Sequence, residues 1–345
     1  MKIVQLVGAR PQFVKLAPVS RELRKSHQEI IVHSGQHYDY QMNEVFFKQM
    51  QIPEPDYDLN VGSGSHGVQT ARILEALEAI LIKEKPDWLL IYGDTNTTLA
   101  GALAASKLGI KTAHIEAGLR SFNRSMPEEI NRIVADHLSD LLLVPTQTGM
   151  DNLKHEGLLD KAKLVGDVMT DSLAMGVEAA RKQGVKMITD MPFSILTLHR
   201  PYNVDDPLKL QDILQKLNTL GQKILFPVHP RTQRLISPEV KERCSNIVFK
   251  DPLGYLDFLT HMANSQLILT DSGGIQKEAY ILGKPCVTLR TETEWVETVE
   301  SGWNLLLDPE AAAFPEAIRS FKAPQEHPDL FGVDVSKKIV EALEV

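Results

Sequence analysis

Asp94, Glu116 and Glu128 each stand where an apolar run ends or a helical one begins, the places from which side chains project past the edge of a sheet. Asp94 follows the run ending at Tyr92, Glu116 follows the run ending at Ile115, and Glu128 follows Pro127 at a helix start. If the three converge, mutual repulsion raises at least one pKa and yields a group able to carry a proton near neutrality. Each position also has a plainer reading. Asp94 before Thr95 suits a helix N-cap, Glu116 suits a solvated loop, and Glu128 four residues before Arg132 suits a surface ion pair. Arg132 is equally suited to holding another carboxylate ionised. His199, closing the apolar run 194–198, is placed to assist a leaving anion, although a single histidine there is commonly structural.

Two segments are suited to anions. Gly8-Ala9-Arg10-Pro11-Gln12 turns from the first apolar run into a helix, with Pro11 in the first helical turn. Arg10 and the unpaired N–H groups of that helix start can share one anion, or the segment is an ordinary turn with a solvated arginine. Thr270-Asp271-Ser272-Gly273-Gly274 is the stronger case, because consecutive glycines let backbone N–H groups approach a ligand closely. Ser272 can cap the following helix and donate to a phosphate oxygen, and Glu278, about one turn in, can reach ribose hydroxyls. Neither a Walker motif nor GxGxxG follows the first run.

Short apolar runs alternating with helical periods must position these residues, the pattern of βα units on parallel sheets. Strands are expected at 3–7, 30–33, 88–92, 112–115, 141–144 and 164–165, then at 194–198, 223–228, 246–249, 266–269 and 286–289. The chain has 345 residues, long for one core, so the fold class is α/β with two doubly wound domains. The first spans 1–167 and is joined by a C-terminal helix, 333–345; the second spans 168–332. A formal charge of −8 disfavours a nucleic-acid partner. Cys244 and Cys286 are too few for a disulfide framework and read as small buried hydrophobes of a reducing compartment. No stretch approaches a membrane span, and Arg10 and Pro11 cut the first apolar run short of a signal-peptide core, so a cytoplasmic protein is expected.

Taken in order, Gly8-Ala9-Arg10-Pro11, Gly35-Gln36-His37, Tyr92-Gly93-Asp94-Thr95, His114-Ile115-Glu116-Ala117-Gly118-Leu119-Arg120, Pro127-Glu128-Glu129-Ile130-Asn131-Arg132, His199-Arg200 and Asp271-Ser272-Gly273-Gly274 resemble the non-hydrolysing UDP-N-acetylglucosamine 2-epimerase family along nearly the whole chain. The resemblance implies two Rossmann-like domains in the glycosyltransferase-B arrangement, with the active site in the interdomain cleft. It implies inversion at C2 of the sugar by elimination of UDP, a 2-acetamidoglucal intermediate, and re-addition of UDP. It places Asp94, Glu116, Glu128, Arg132 and His199 among catalytic positions and Arg10, Ser272, Gly273, Gly274, Glu278 and Arg290 among UDP-binding ones. Lys15, Arg120, Arg124 and Tyr202 are candidate sugar contacts, and Gln36, His37 and Gln69 candidate regulatory positions. A homodimer is expected, with no cofactor and no metal.

The chemistry suits such residues. The C2 proton is weakly acidic because no carbonyl adjoins it, so its removal must be coupled to departure of a stabilised UDP, and inversion needs proton exchange at both faces. Base and acid are not assigned among the carboxylates. Tyr202 stands where many relatives carry glutamate, and no arginine precedes Gln69 where allosterically activated relatives have one, so strict activation by substrate is not expected. The segments 121–124 and 293–297 are similar to the branch acting on UDP-2,3-diacetamido-2,3-dideoxyglucuronic acid, whose carboxylate Arg120 or Arg124 can meet bidentately. A glycosyltransferase of the same fold and a non-catalytic sugar-nucleotide sensor are the remaining readings; three acidic positions, of no use in holding a diphosphate, weigh against the sensor.

Overall fold

The computed structural model describes residues 1–35, 52–189 and 191–344. The chain forms two compact units, Met1–Met175 with Leu330–Val345, and Gly176–Asp329.

The first unit carries a seven-stranded parallel sheet ordered β3-β2-β1-β4-β5-β6-β7. Its strands are β1 Lys2–Val7, β2 Gln28–His33, β3 Tyr57–Asp58, β4 Trp88–Tyr92, β5 Lys111–Ile115, β6 Leu141–Val144 and β7 Ala162–Leu164. Between them run α1 Arg10–Leu23, α2 His66–Glu84, α3 Asn96–Leu108, α4 Pro127–Leu138 and α5 Gln147–His155, followed by α6 Met169–Gln183. Every residue of β4 is buried, as expected of a parallel strand covered on both faces, and this is why it reads as an unbroken apolar run. Val4, Leu6, Val32, Leu89 and Ile91 meet Leu77, Leu81 and Ala105 from the helices in one core.

The second unit has a six-stranded parallel sheet ordered β10-β9-β8-β11-β12-β13. Its strands are β8 Phe193–Thr197, β9 Lys223–Pro227, β10 Ile247–Lys250, β11 Leu267–Thr270, β12 Cys286–Thr288 and β13 Asn304–Leu306. The helices are α7 Pro201–Val204, α8 Pro207–Asn218, α9 Pro230–Gln233, α10 Pro238–Arg243, α11 Tyr255–Asn264, α12 Gly273–Ile281, α13 Val296–Glu300 and α14 Phe314–Ser320. Leu196, Ile213, Leu217, Phe226, Val287 and Phe314 centre its core. Both sheets are those of doubly wound α/β units, as the sequence predicts. The short edge strands β3 and β13 were not expected, since two or three residues show no period.

Each sheet reverses its strand order once, between β1 and β4 and between β8 and β11. In each unit the loops leaving the two strands at the switch point diverge, the usual ligand position in open α/β sheets. Helix α15, Val335–Leu343, packs on α1, and Asp171 accepts from Ser336 N at 2.7 Å. Gly118 makes a close backbone approach: a Cβ there meets Gly149 O at 2.6 Å, and φ is +82°. Gly118→Ala is expected to destabilise the protein by about 2–3 kcal/mol through strain at both the contact and the left-handed backbone; an unchanged melting temperature refutes this. Cys244 and Cys286 are both buried and free, and burial pushes both thiols up, Cys286 to about 12, so neither is a nucleophile.

Candidate active site

At the first switch point Gln12 ties the two diverging loops together. Its Oε1 accepts from Gly8 N at 2.8 Å and Ala9 N at 3.0 Å, while its Nε2 donates to Tyr92 O at 2.7 Å and Thr95 Oγ1 at 3.1 Å. The N–H groups of Gly8 and Ala9 are thus used internally. Arg10 opens α1, but its side chain lies outside the described residues, as do Gln36 and His37.

Asp94 leaves β4 after Gly93, which has φ +63°. Thr95, not Asp94, is the N-cap of α3; its hydroxyl accepts from Thr98 N. The capping alternative for Asp94 therefore falls, because the helix starts one residue later than that reading requires. The carboxylate instead accepts from Arg132 Nη2 at 2.6 Å and Nε at 3.0 Å through one oxygen, Oδ2. Asp94 O accepts from Asn131 Nδ2 at 2.8 Å, so one turn of α4 fixes both the backbone and the side chain.

Arg132 also reaches Glu129 Oε2 at 3.0 Å. Glu129 is buried and accepts from the N–H groups of Ser121 and Phe122 at 2.8 and 2.9 Å. Burial pushes the Glu129 carboxyl up, but these donors and Arg132 outweigh it and hold it below the ordinary range. Glu128 points into solvent at the same helix start. The alternative of a Glu128–Arg132 surface pair falls: the loop preceding α4 folds back over the Glu129 side, where Glu129 meets the guanidinium.

Glu116 follows β5 in the left-handed region, φ +71°, strained for a glutamate and consistent with a functional constraint. Its carboxylate pairs with Lys15 from α1, a buried side chain, and Gly93 leaves room beside both. The expected crowding of carboxylates is thus replaced by compensation: Asp94 faces Arg132, and Glu116 faces Lys15. Behind them His114, fully buried on β5, lies between Gly93 O, 2.7 Å from Nε2, and Asp136 Oδ1, 2.6 Å from Nδ1.

Arg120 is corrected as a sugar contact. Its guanidinium is 1% exposed, bidentate to Glu156 at 2.7 and 2.8 Å and paired with Asp136 at 2.7 Å, so its fork is already spent. Arg124 is exposed. Gln69 donates to Gly62 O at 2.9 Å and accepts from Asn96 Nδ2 at 2.8 Å, which makes it part of the packing of α2 on α3.

At the second switch point Asp271, 0% exposed, organises the loop after β8. It accepts from His199 N at 3.1 Å, Arg200 N at 3.0 Å and Asn203 Nδ2 at 3.2 Å, and faces His199 Nδ1 at 3.0 Å. The carboxylate fixes the imidazole by Nδ1 and leaves Nε2 on a side chain that is 50% exposed. Ser272 is the N-cap of α12 by position, yet its hydroxyl makes no cap bond, which corrects the capping half of its expected role. Gly274 opens onto free space, whereas a side chain on Gly273 meets the Glu294 carboxylate. That carboxylate accepts from Arg290 Nη1 at 2.9 Å. Glu278 lies half-buried on α12, and Tyr202 on α7 is 50% exposed, its phenol pushed up by burial of the hydroxyl end.

Gln12, His114, Glu129, Asp136 and Asp271 were not assigned roles from sequence. Asp271 alone carried a usable signal, a carboxylate directly after an apolar strand, which burial obliges to find donors.

Residues 21–344 match the family model described as UDP-N-acetylglucosamine 2-epimerase. The chain is 50% identical to a UDP-N-acetylglucosamine 2-epimerase homolog of Methanococcus maripaludis, covering 99% of each chain. It is 46% identical, again over 99% of each, to the UDP-2,3-diacetamido-2,3-dideoxy-D-glucuronate 2-epimerase of Pseudomonas aeruginosa. The crystal structure of Methanocaldococcus jannaschii UDP-GlcNAc 2-epimerase in complex with UDP-GlcNAc and UDP superposes with a TM-score of 0.84 at 40% identity, covering 100% of this chain and 99% of that one.

Proposed function

Because this chain belongs to the UDP-N-acetylglucosamine 2-epimerase family, we propose that it interconverts UDP-GlcNAc and UDP-ManNAc without hydrolysis. The observation that carries the mechanism is the pair of carboxylates at the ends of adjacent strands, Asp94 after β4 and Glu116 after β5, each held by its own cation. One group removes the C2 proton, the C2–H electrons form the C1=C2 bond, and the C1–O electrons leave with UDP. Return of UDP to C1, with a proton delivered to the other face of C2, completes the inversion. Two acid/base positions serve that exchange, with Glu128 as a third carboxylate of the same unit.

The first unit, with its carboxylates, is the acid/base domain, and the second is the nucleotide domain. Ser272, Gly273, Gly274, Glu278 and Arg290 hold UDP, with Arg10 as a further cation. His199, oriented by Asp271, donates to the departing phosphate. The enzyme acts as a cytoplasmic homodimer in the supply of sugar nucleotides for cell-surface polysaccharide. A second substrate, UDP-2,3-diacetamido-2,3-dideoxyglucuronic acid, is favoured by the 46% identity to the Pseudomonas aeruginosa enzyme, and Arg124 is the exposed guanidinium suited to its carboxylate.

The test is incubation in D₂O with UDP-sugars bearing or lacking a 3-acetamido group and a uronic carboxylate, followed by NMR. The expected outcome is inversion at C2 with deuterium entering there and no stoichiometric release of UDP. Retained C2 hydrogen rejects the mechanism, and accumulation of free sugar makes the enzyme a hydrolysing one.

A further inference from the structure

We propose that His114 is a positioning residue that donates from both ring nitrogens, a buried cation that fixes the turn presenting Asp94. Nε2 lies 2.7 Å from Gly93 O, and a backbone carbonyl has no proton to give. Nδ1 lies 2.6 Å from Asp136 Oδ1. The other oxygen of that carboxylate, Oδ2, already accepts from Arg120 Nη1 at 2.7 Å and Gly118 N at 3.1 Å, as an ionised group does. With Asp136 ionised, satisfying both contacts of a ring with no exposure at all requires a proton on each nitrogen. Asp136 thus lies between His114 and Arg120, while Glu156, the second partner of Arg120, is 26% exposed and lies 3.8 Å from His137 Nδ1. Burial pushes the Asp136 carboxyl up, yet His114 and Arg120 hold it below the ordinary range.

The consequence falls on Asp94. Gly93 N donates to Ile115 O at 3.0 Å and Gly93 O accepts from His114, while Asp94 O accepts from Asn131. Two successive carbonyls are therefore pinned, one from β5 and one from α4, in a turn whose first residue has φ +63°. A ring that loses the Nε2 proton turns a lone pair on Gly93 O and releases that anchor, and one that loses the Nδ1 proton turns a lone pair on Asp136 and loses its own hold in the core. The other charges near this turn, the Asp94–Arg132 and Glu116–Lys15 pairs, are those proposed to handle the substrate proton.

The test has two arms, and only the second rests on the epimerase reading. In ¹⁵N-labelled enzyme, long-range ¹H–¹⁵N spectra of the histidine rings are recorded at about pH 7. His114 is assigned by its loss in His114→Gln or by its response to Asp136→Asn. Both of its nitrogens are expected to carry protons in the native chain, and one is expected to lose its proton in Asp136→Asn. An unprotonated His114 nitrogen in the native chain at about pH 7 overturns the proposal, including the variant in which Asp136 carries the proton. In the activity arm, His114→Gln is expected to lower kcat about 10- to 100-fold, as for loss of a hydrogen bond from a charged donor, with KM nearly unchanged. Native kcat, or a rise in KM alone, removes His114 from the positioning of Asp94. If native enzyme turns over none of the UDP-sugars while the ring keeps both protons, the functional reading fails and this one stands.

Discussion

Asp94→Asn is expected to leave the protein folded and to lower epimerisation by about 10²–10⁴, the loss that follows removal of a general acid or base. The expectation of an intact fold rests on which residue caps α3. Thr95 does so, and the Asp94 side chain, 31% exposed, contributes through its bond to Arg132, while the bond from Asn131 to Asp94 O is kept in the variant. A pair so open to water is worth about 1 kcal/mol or less, and Arg132 keeps Glu129 as a partner. The melting temperature should fall by no more than a few degrees. Asparagine preserves size but cannot take a proton, so chemistry and structure are separated in one variant. Near-native turnover of Asp94→Asn, with deuterium still entering at C2, would falsify the assignment and move the essential proton transfer to Glu116 or Glu128.

Asp271→Ala should have the opposite signature, a large loss of stability of about 3–5 kcal/mol, because the carboxylate is fully buried and its removal strands the donors gathered around it. Asp271→Asn, which keeps one acceptor oxygen, should lose less. Urea unfolding followed by tryptophan fluorescence reports the difference, with Trp295 and Trp303 in the same unit. An unfolding free energy within about 1 kcal/mol of native for Asp271→Ala would mean that water replaces the carboxylate without penalty, and the loop after β8 would not depend on it.

Much of the architecture was legible because parallel strands buried on both faces leave unbroken apolar runs such as 88–92 and 141–144, which periodicity finds. The plainer alternatives for two of the carboxylates each missed by one residue. Asp94 and Thr95 are both good caps, and only the helix start decides between them. Glu128 and Glu129 are adjacent and identical, and only the return of the 121–122 loop decides which one is buried against Arg132. Arg120 shows the deeper limit: its partner Glu156 lies 36 residues away, and no spacing rule connects a loop to the C-cap of a later helix. Motif order located the pieces; non-local hydrogen bonds determined what each piece is free to do.

The return of residues 330–345 to the first unit makes the second unit, in chain order, an insertion. During synthesis α1 is among the first helices to form, yet the helix that packs on it, α15, is made only after all of Gly176–Asp329. The apolar surface of α1 must therefore wait, exposed, through the production of another whole unit, and loop closure between the two spans most of the chain. The second unit, by contrast, is contiguous and can complete its core as soon as it has been made. The order of maturation thus inverts the order of the sequence: the half that begins first is sealed last.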